Sequence, residues 1–159
     1  TVYFSDTIGG QSKTSGGWDT HGFNDTRMYP IIQAYHLPLT DQTLPALLDD
    51  LDQRGLLDET LVVWMGEFGR TPKINANASR DHWPQCYTVL FAGGGLKRGH
   101  IHGASDRSGA RPERDPVRPD DLAATMFHLL GIDPRTEVRD PAGRPLLIAE
   151  GEPVLDLIA

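Results

Sequence analysis

Apolar residues recur along this chain in two rhythms, and each predicts a kind of element. Leu44, Leu47, Leu48 and Leu51 stand at i, i+3, i+4 and i+7, the spacing of one helix face. Thr40 or Asp41 can cap that helix, and Gly55 sits where it ends. Pro45 is tolerated only in a first turn, so the helix proper is predicted to start near it. Asp49, Asp50, Asp52 and Arg54 fall off the leucine stripe, so one face packs and the other is solvated. A second helix is predicted from Pro119 and Asp120 to Gly131, with Leu122, Met126, Leu129 and Leu130 on its apolar face. The other rhythm is the short continuous run. Residues 60–65, Thr-Leu-Val-Val-Trp-Met, are too few for a buried helix and read as a strand covered on both faces, as in a parallel sheet. Residues 87–92 read as a second strand, ended by Gly93, Gly94 and Gly95.

Weaker patterns fill the gaps. Residues 2–4 look like the end of a strand, followed by a loop over 5–17 rich in Gly, Ser and Thr. A short strand is predicted within 99–103, around His100-Ile101-His102. Residues 104–119 are charged and carry prolines, and read as a long surface loop. The tail from Asp133 holds turn signals around Pro134, Pro141 and Gly143, with a short strand near 146–148. Buried strands alternating with amphipathic helices predict an α/β fold, part of a mostly parallel sheet flanked by helices. The length, 159 residues, suits one domain. Two or three central strands make a small sheet, and the opening Thr1-Val2-Tyr3-Phe4 reads as the inside of a strand. The expectation is therefore a piece of a larger domain with a cut N-terminus, where a targeting segment would also have been lost.

Composition narrows the partners. Net charge is −7, from 22 acidic against 15 basic residues, which argues against nonspecific nucleic-acid binding. Small anionic substrates stay open, because a few placed cations outweigh the global sign. No stretch approaches the roughly 20 apolar residues that span a bilayer. The single cysteine, Cys86, excludes an internal disulfide. It opens the apolar run 86–91 and reads as a buried structural thiol, with a catalytic thiol as the alternative.

Three clusters offer oxygen and nitrogen donors of the kind that bind Zn²⁺ or Mn²⁺: Asp19 with His21, Glu67, and Asp81 with His82. In an extended segment Asp19 and His21 point the same way and can face one ion; otherwise Asp19 caps a turn and His21 is simply exposed. His82 is a ligand or a loop histidine packed on Trp83. Glu67 follows an apolar strand directly, where an unpaired carboxylate is costly to bury. It needs a metal, the Arg70 guanidinium or solvent. Ligands in open α/β sheets bind beyond the C-terminal strand ends, which favours this position. His100 and His102 share a face if their segment is a strand and read as a structural hairpin edge; His36 and His128 read as structural too. Gly93–Gly95 lacks the spacing and lysine of a phosphate loop. Trp18, Trp64 and Trp83 flank the candidate residues, either as an apolar wall or as core.

Gly-Gly-Trp-Asp-Thr-His-Gly at 16–22, Trp-Met-Gly-Glu-Phe-Gly-Arg-Thr-Pro at 64–72 and Arg-Asp-His-Trp-Pro at 80–84 occur in this order. Leu-Asp-Gln-Arg-Gly-Leu-Leu-Asp-Glu-Thr at 51–60 lies between the first two. The set closely resembles the uncharacterised sulfatase-like family called domain of unknown function 1501, from about Gly16 through Gly151. That family is similar in fold to the alkaline phosphatase superfamily, whose sites hold two divalent ions and a Ser, Thr or modified Cys nucleophile from the N-terminal half. The resemblance implies that Asp19, His21 and His82 bind one ion, Zn²⁺ or Mn²⁺. Glu67 stands in the place of an Asp-His pair for a second ion, or acts as a general base, but Phe68 departs from the pattern and cannot bind metal. Arg70 would hold an anionic phosphate or sulfate group. The function implied is metal-dependent hydrolysis of phosphate or sulfate esters, completed by the absent N-terminal half that would carry the nucleophile. The alternative is a non-catalytic anion- or glycan-binding or structural protein. Related proteins are often exported, which points by resemblance to a periplasmic or extracellular location.

Overall fold

The computed structural model describes Trp18 and residues 28–159. A long helical segment opens it: α1 (Met28–Ile31), a π-helical turn (Ile32–His36) and α2 (Leu37–Gln53) follow without a break. The helix thus begins well before Pro45, which lies inside α2. Pro45 removes one backbone donor, and the carbonyl left over belongs to Asp41, on a stretch exposed to solvent. Gly55 takes a φ of +68° just past the helix end, as the sequence predicts.

The expected parallel, alkaline phosphatase-like sheet flanked by helices is overturned. Among the described residues every sheet has two strands and every pair is antiparallel. β1 (Val62–Trp64) pairs with β4 (Leu90–Ala92), Val63 opposite Phe91. A parallel return needs a crossover, usually a helix packed on the sheet. Here the intervening chain folds instead into the small hairpin of β2 (Gly69–Arg70) and β3 (His82–Trp83), and re-enters reversed. β1 and β4 are not covered on both faces either: Trp64 is 45% exposed and Leu90 36%.

Residues 104–119 are not one loop. β5 (Ala104–Ser105) pairs with β6 (Pro112–Arg114) around a turn organised by Asp106. Its carboxylate accepts from the Ser108, Ala110 and Arg111 amides and the Ser108 hydroxyl. Residues 99–103 form no strand. In the tail, β7 (Glu137–Arg139) pairs with β8 (Pro145–Leu147), close to the strand predicted at 146–148. Cys86 is half-buried. No helix among the described residues is long and apolar enough to cross a membrane.

Two small buried centres hold these parts. In one, the Met28 amide donates to Ser79 Oγ at 2.9 Å, both residues being buried. The other lies where α3 (Pro119–Leu129), at the predicted position, receives the tail. Ala124 and Thr125 are buried there, the Val154 amide donates to Thr125 Oγ1, and a Cβ on Gly151 would collide with the Asp120 backbone. Asp121 accepts from the Arg118 and Glu152 amides, each at 3.0 Å, so one carboxylate caps α3 and seats the tail.

Burial works against the charge of Asp121, but the bonds from the Arg118 and Glu152 amides and the Arg118 guanidinium outweigh it and hold the carboxyl below its usual range. A depressed folded-state value adds stability that is present above the unfolded value, near pH ~4, and is lost as pH falls through the folded one. Asp121→Ala should therefore cost about 1–2 kcal/mol at neutral pH in urea unfolding, and the gap from wild type should close below pH ~4. An equal gap at pH 7 and pH 3 would show that the carboxylate charge contributes nothing.

Candidate functional site

The β2–β3 hairpin sets Gly69 opposite Trp83 and Arg70 opposite His82. Gly69 has no alternative there, because a Cβ would run into the Cys86 carbonyl oxygen. The loop between the strands is tied from within. Asn75 Oδ1 accepts from the Asn77 and Ser79 amides, and the Thr71 amide donates to the Asp81 carbonyl. Arg80 spans the loop: Nη1 donates to the Thr71 carbonyl at 2.6 Å and the Pro72 carbonyl at 2.7 Å, and Nε donates to the Tyr29 hydroxyl at 2.8 Å. The hairpin is thereby fastened to the start of the long helix.

Arg70 joins a third segment. Its Nη2 donates to the Trp18 carbonyl at 3.3 Å and its Nη1 to the Arg80 carbonyl at 3.4 Å. The Trp18 ring in turn stacks on His36, centroids 4.3 Å apart and planes at 19°. His36 is buried in the π turn, a local widening that often marks functional sites. Trp18 therefore contacts both the long helix and the hairpin, and Arg70 joins it to Arg80.

The individual candidates fare differently. His82 is exposed, and the Phe68 ring packs on it with centroids 4.0 Å apart. Phe68 thus supports the imidazole at the position where the family resemblance calls for a ligand. Glu67 is exposed in the bend before β2, where water lowers the cost of its charge. Asp81 is exposed and accepts from Asn75 Nδ2 at 2.9 Å. Asp19 and His21 lie outside the described residues. Glu67 and His82 are hard and borderline donors suited to a divalent ion, but they are two where a zinc site needs at least three protein ligands. The remaining assigned donors are Asp19 and His21, which follow Trp18 in the chain. Of the tryptophans, Trp83 is engaged through Nε1, which donates to the Ala110 carbonyl at 2.7 Å, while Trp64 is exposed.

Among the described residues, one group of three metal-type donors comes together, and it lies elsewhere: His100, His102 and Asp156. The His-x-His spacing was visible in the sequence, but its carboxylate partner is 54 to 56 positions further on. No local signal joins them.

No curated protein and no solved structure matches the chain. The family described as "Protein of unknown function (DUF1501)" matches residues 11–158, a span that holds all three motif segments. With nearly its whole length matched, the chain belongs to the DUF1501 family.

Proposed function

We propose that this chain contributes the metal-binding and anion-holding part of a hydrolase acting on phosphate or sulfate esters. The observation that carries the reading is the bond from Arg70 to the Trp18 carbonyl, with Arg70 directly opposite His82. It brings the Trp18 carbonyl, one residue before Asp19 in the chain, to the hairpin that bears His82 and that Glu67 precedes. In this reading Asp19, His21 and His82 hold one divalent ion, Zn²⁺ or Mn²⁺, and Glu67 is a further ligand or a general base. A bound ion would polarise the ester oxygen and offset the charge that develops on it. Arg70 orients the anionic group from a position fixed by its two carbonyl partners, and Phe68 fixes the plane of the His82 ring. The resemblance drawn in the sequence, from the motif set to a sulfatase-like family, supports the same chemistry.

A second reading is a non-catalytic anion- or glycan-binding protein. Phe68 favours it, since an apolar ring stands on His82 where a second ion would need a donor.

Metal content of this chain, and turnover of p-nitrophenyl phosphate and p-nitrophenyl sulfate by the protein with the nucleophile-bearing half present, each measured on wild type and His82→Ala, separate the two. Expected is Zn²⁺ or Mn²⁺ binding weakened 10-fold or more by His82→Ala, with turnover falling in parallel. Metal binding that is indifferent to His82→Ala rejects the proposed ligand set. Phosphate or glycan binding by the protein with both halves present, with no turnover in any metal, supports the second reading.

A further inference from the structure

The C-terminal segment is bound to the turn that follows β4. Leu96 and Ile158 form an antiparallel bridge, the Lys97 amide donates to the Leu157 carbonyl and the Ala159 amide to the Gly95 carbonyl. The short 3₁₀ turn Leu155–Leu157 then presents Asp156 to the segment beyond Lys97. His100 Nε2 lies 2.9 Å from Asp156 Oδ2 and His102 Nδ1 lies 3.3 Å from the same oxygen. All three donor atoms fall within 4.8 Å of one another.

We infer that His100, His102 and Asp156 form a binding site for a zinc-class divalent ion, separate from the hairpin site and independent of the hydrolase reading. Tetrahedral zinc with bonds of about 2.0–2.1 Å sets its ligands about 3.4 Å apart. The two histidine–carboxylate separations already lie near that value, so only the histidine–histidine pair has to close, by about 1.4 Å at most. The donor types suit zinc: two imidazoles and a carboxylate, with one position left for water. The surroundings suit a ligand as well. Lys97 Nζ is anchored on the Asp156 carbonyl at 2.8 Å and reaches Oδ1 at 3.3 Å, which turns Oδ2 toward the two rings. Such an outer contact orients a ligating carboxylate. The His102 side chain is 17% exposed and the His100 side chain 28%, which leaves the ion a path from solvent. A bound ion would clip the tail onto the turn after β4.

The test is titration of the chelator-stripped full chain with Zn²⁺ by calorimetry, beside His100→Gln, His102→Ala, Asp156→Asn and His82→Ala. Expected is a zinc equivalent whose affinity falls 10-fold or more in His100→Gln, His102→Ala and Asp156→Asn, and which His82→Ala leaves intact. Zinc uptake unchanged in His100→Gln and His102→Ala overturns the inference. Should a variant fail to fold by circular dichroism, X-ray absorption of the zinc complex of His82→Ala decides. With His82→Ala as background, two imidazoles with oxygen in the shell support the site, and fewer than two refute it. Loss of a second zinc equivalent in His82→Ala, with this one retained, would assign that second ion to the hairpin and leave this inference standing.

Discussion

Gly93→Ala is expected to lower the unfolding free energy by about 3 kcal/mol or more, from backbone strain plus overpacking. Gly93 holds a φ of +73°, the left-handed region, where a Cβ alone is unfavourable. The space is also closed. A Cβ would collide with the Leu57 and Thr60 carbonyl oxygens and lie 2.9 Å from Leu57 Cδ1. These carbonyls belong to a turn that cannot withdraw cheaply, since the Leu57 oxygen also accepts from the Thr60 and Gly94 amides. Gly95 provides the control, with a φ of +81° and nothing within 4 Å of its would-be Cβ. Gly95→Ala should cost only the conformational part, about 1–2 kcal/mol. Urea unfolding of the two variants side by side measures the steric part as their difference. Equal losses would mean that the chain between Leu57 and Thr60 moves aside freely.

Arg80→Ala should destabilise by about 2–4 kcal/mol, since hydrogen bonds to charged groups contribute about 1.5–3 kcal/mol and this side chain makes three. The loss is larger than for an exposed ion pair because the two carbonyl acceptors are part-buried and less screened by solvent. The guanidinium satisfies two carbonyls of one turn and the hydroxyl of Tyr29 at once, and its removal leaves part-buried acceptors unmet. Arg80→Lys should recover a minor part, because an ammonium cannot span the three acceptors in the fork geometry. The hairpin should also loosen locally, seen as faster amide exchange at Thr71, whose amide donates to the Asp81 carbonyl. A loss below about 0.5 kcal/mol, the range of ordinary surface changes, would show that the turn holds without its clamp.

Residues differ in how much of their role was legible beforehand. α3 was readable because its evidence is local: Pro119 at the start, an apolar stripe at helical spacing and Gly131, with φ +74°, past the end. Pro45 misled, because a proline at a solvated helix position costs less than the rule for interiors implies. The strands 62–64 and 90–92 lie inside the runs 60–65 and 87–92 read as strands, but their relative direction differs from the reading, since an apolar run has the same composition in either orientation. In the candidate site, Arg70, His82 and Glu67 were singled out by sequence. The role of Arg70 as a bond between segments was not, because its acceptor, the Trp18 carbonyl, is a backbone atom 52 positions away that any residue could supply.

The sequence by itself determined the elements whose signals lie within a turn or two: α3, the glycines that end helices and strands, and the motif set that marks the DUF1501 family. Tertiary structure alone decided the antiparallel return of β4 onto β1, the opposition of Arg70 and His82, and the union of Asp156 with His100 and His102. The physical reason is range. Helix caps and amphipathic periodicity are interactions between residues three or four apart, which composition at fixed spacing encodes. A ladder register or a three-donor cluster depends on where chain segments tens of residues apart are brought together, and here it depends on the turn at Gly93–Gly95 and the tail that pairs with it.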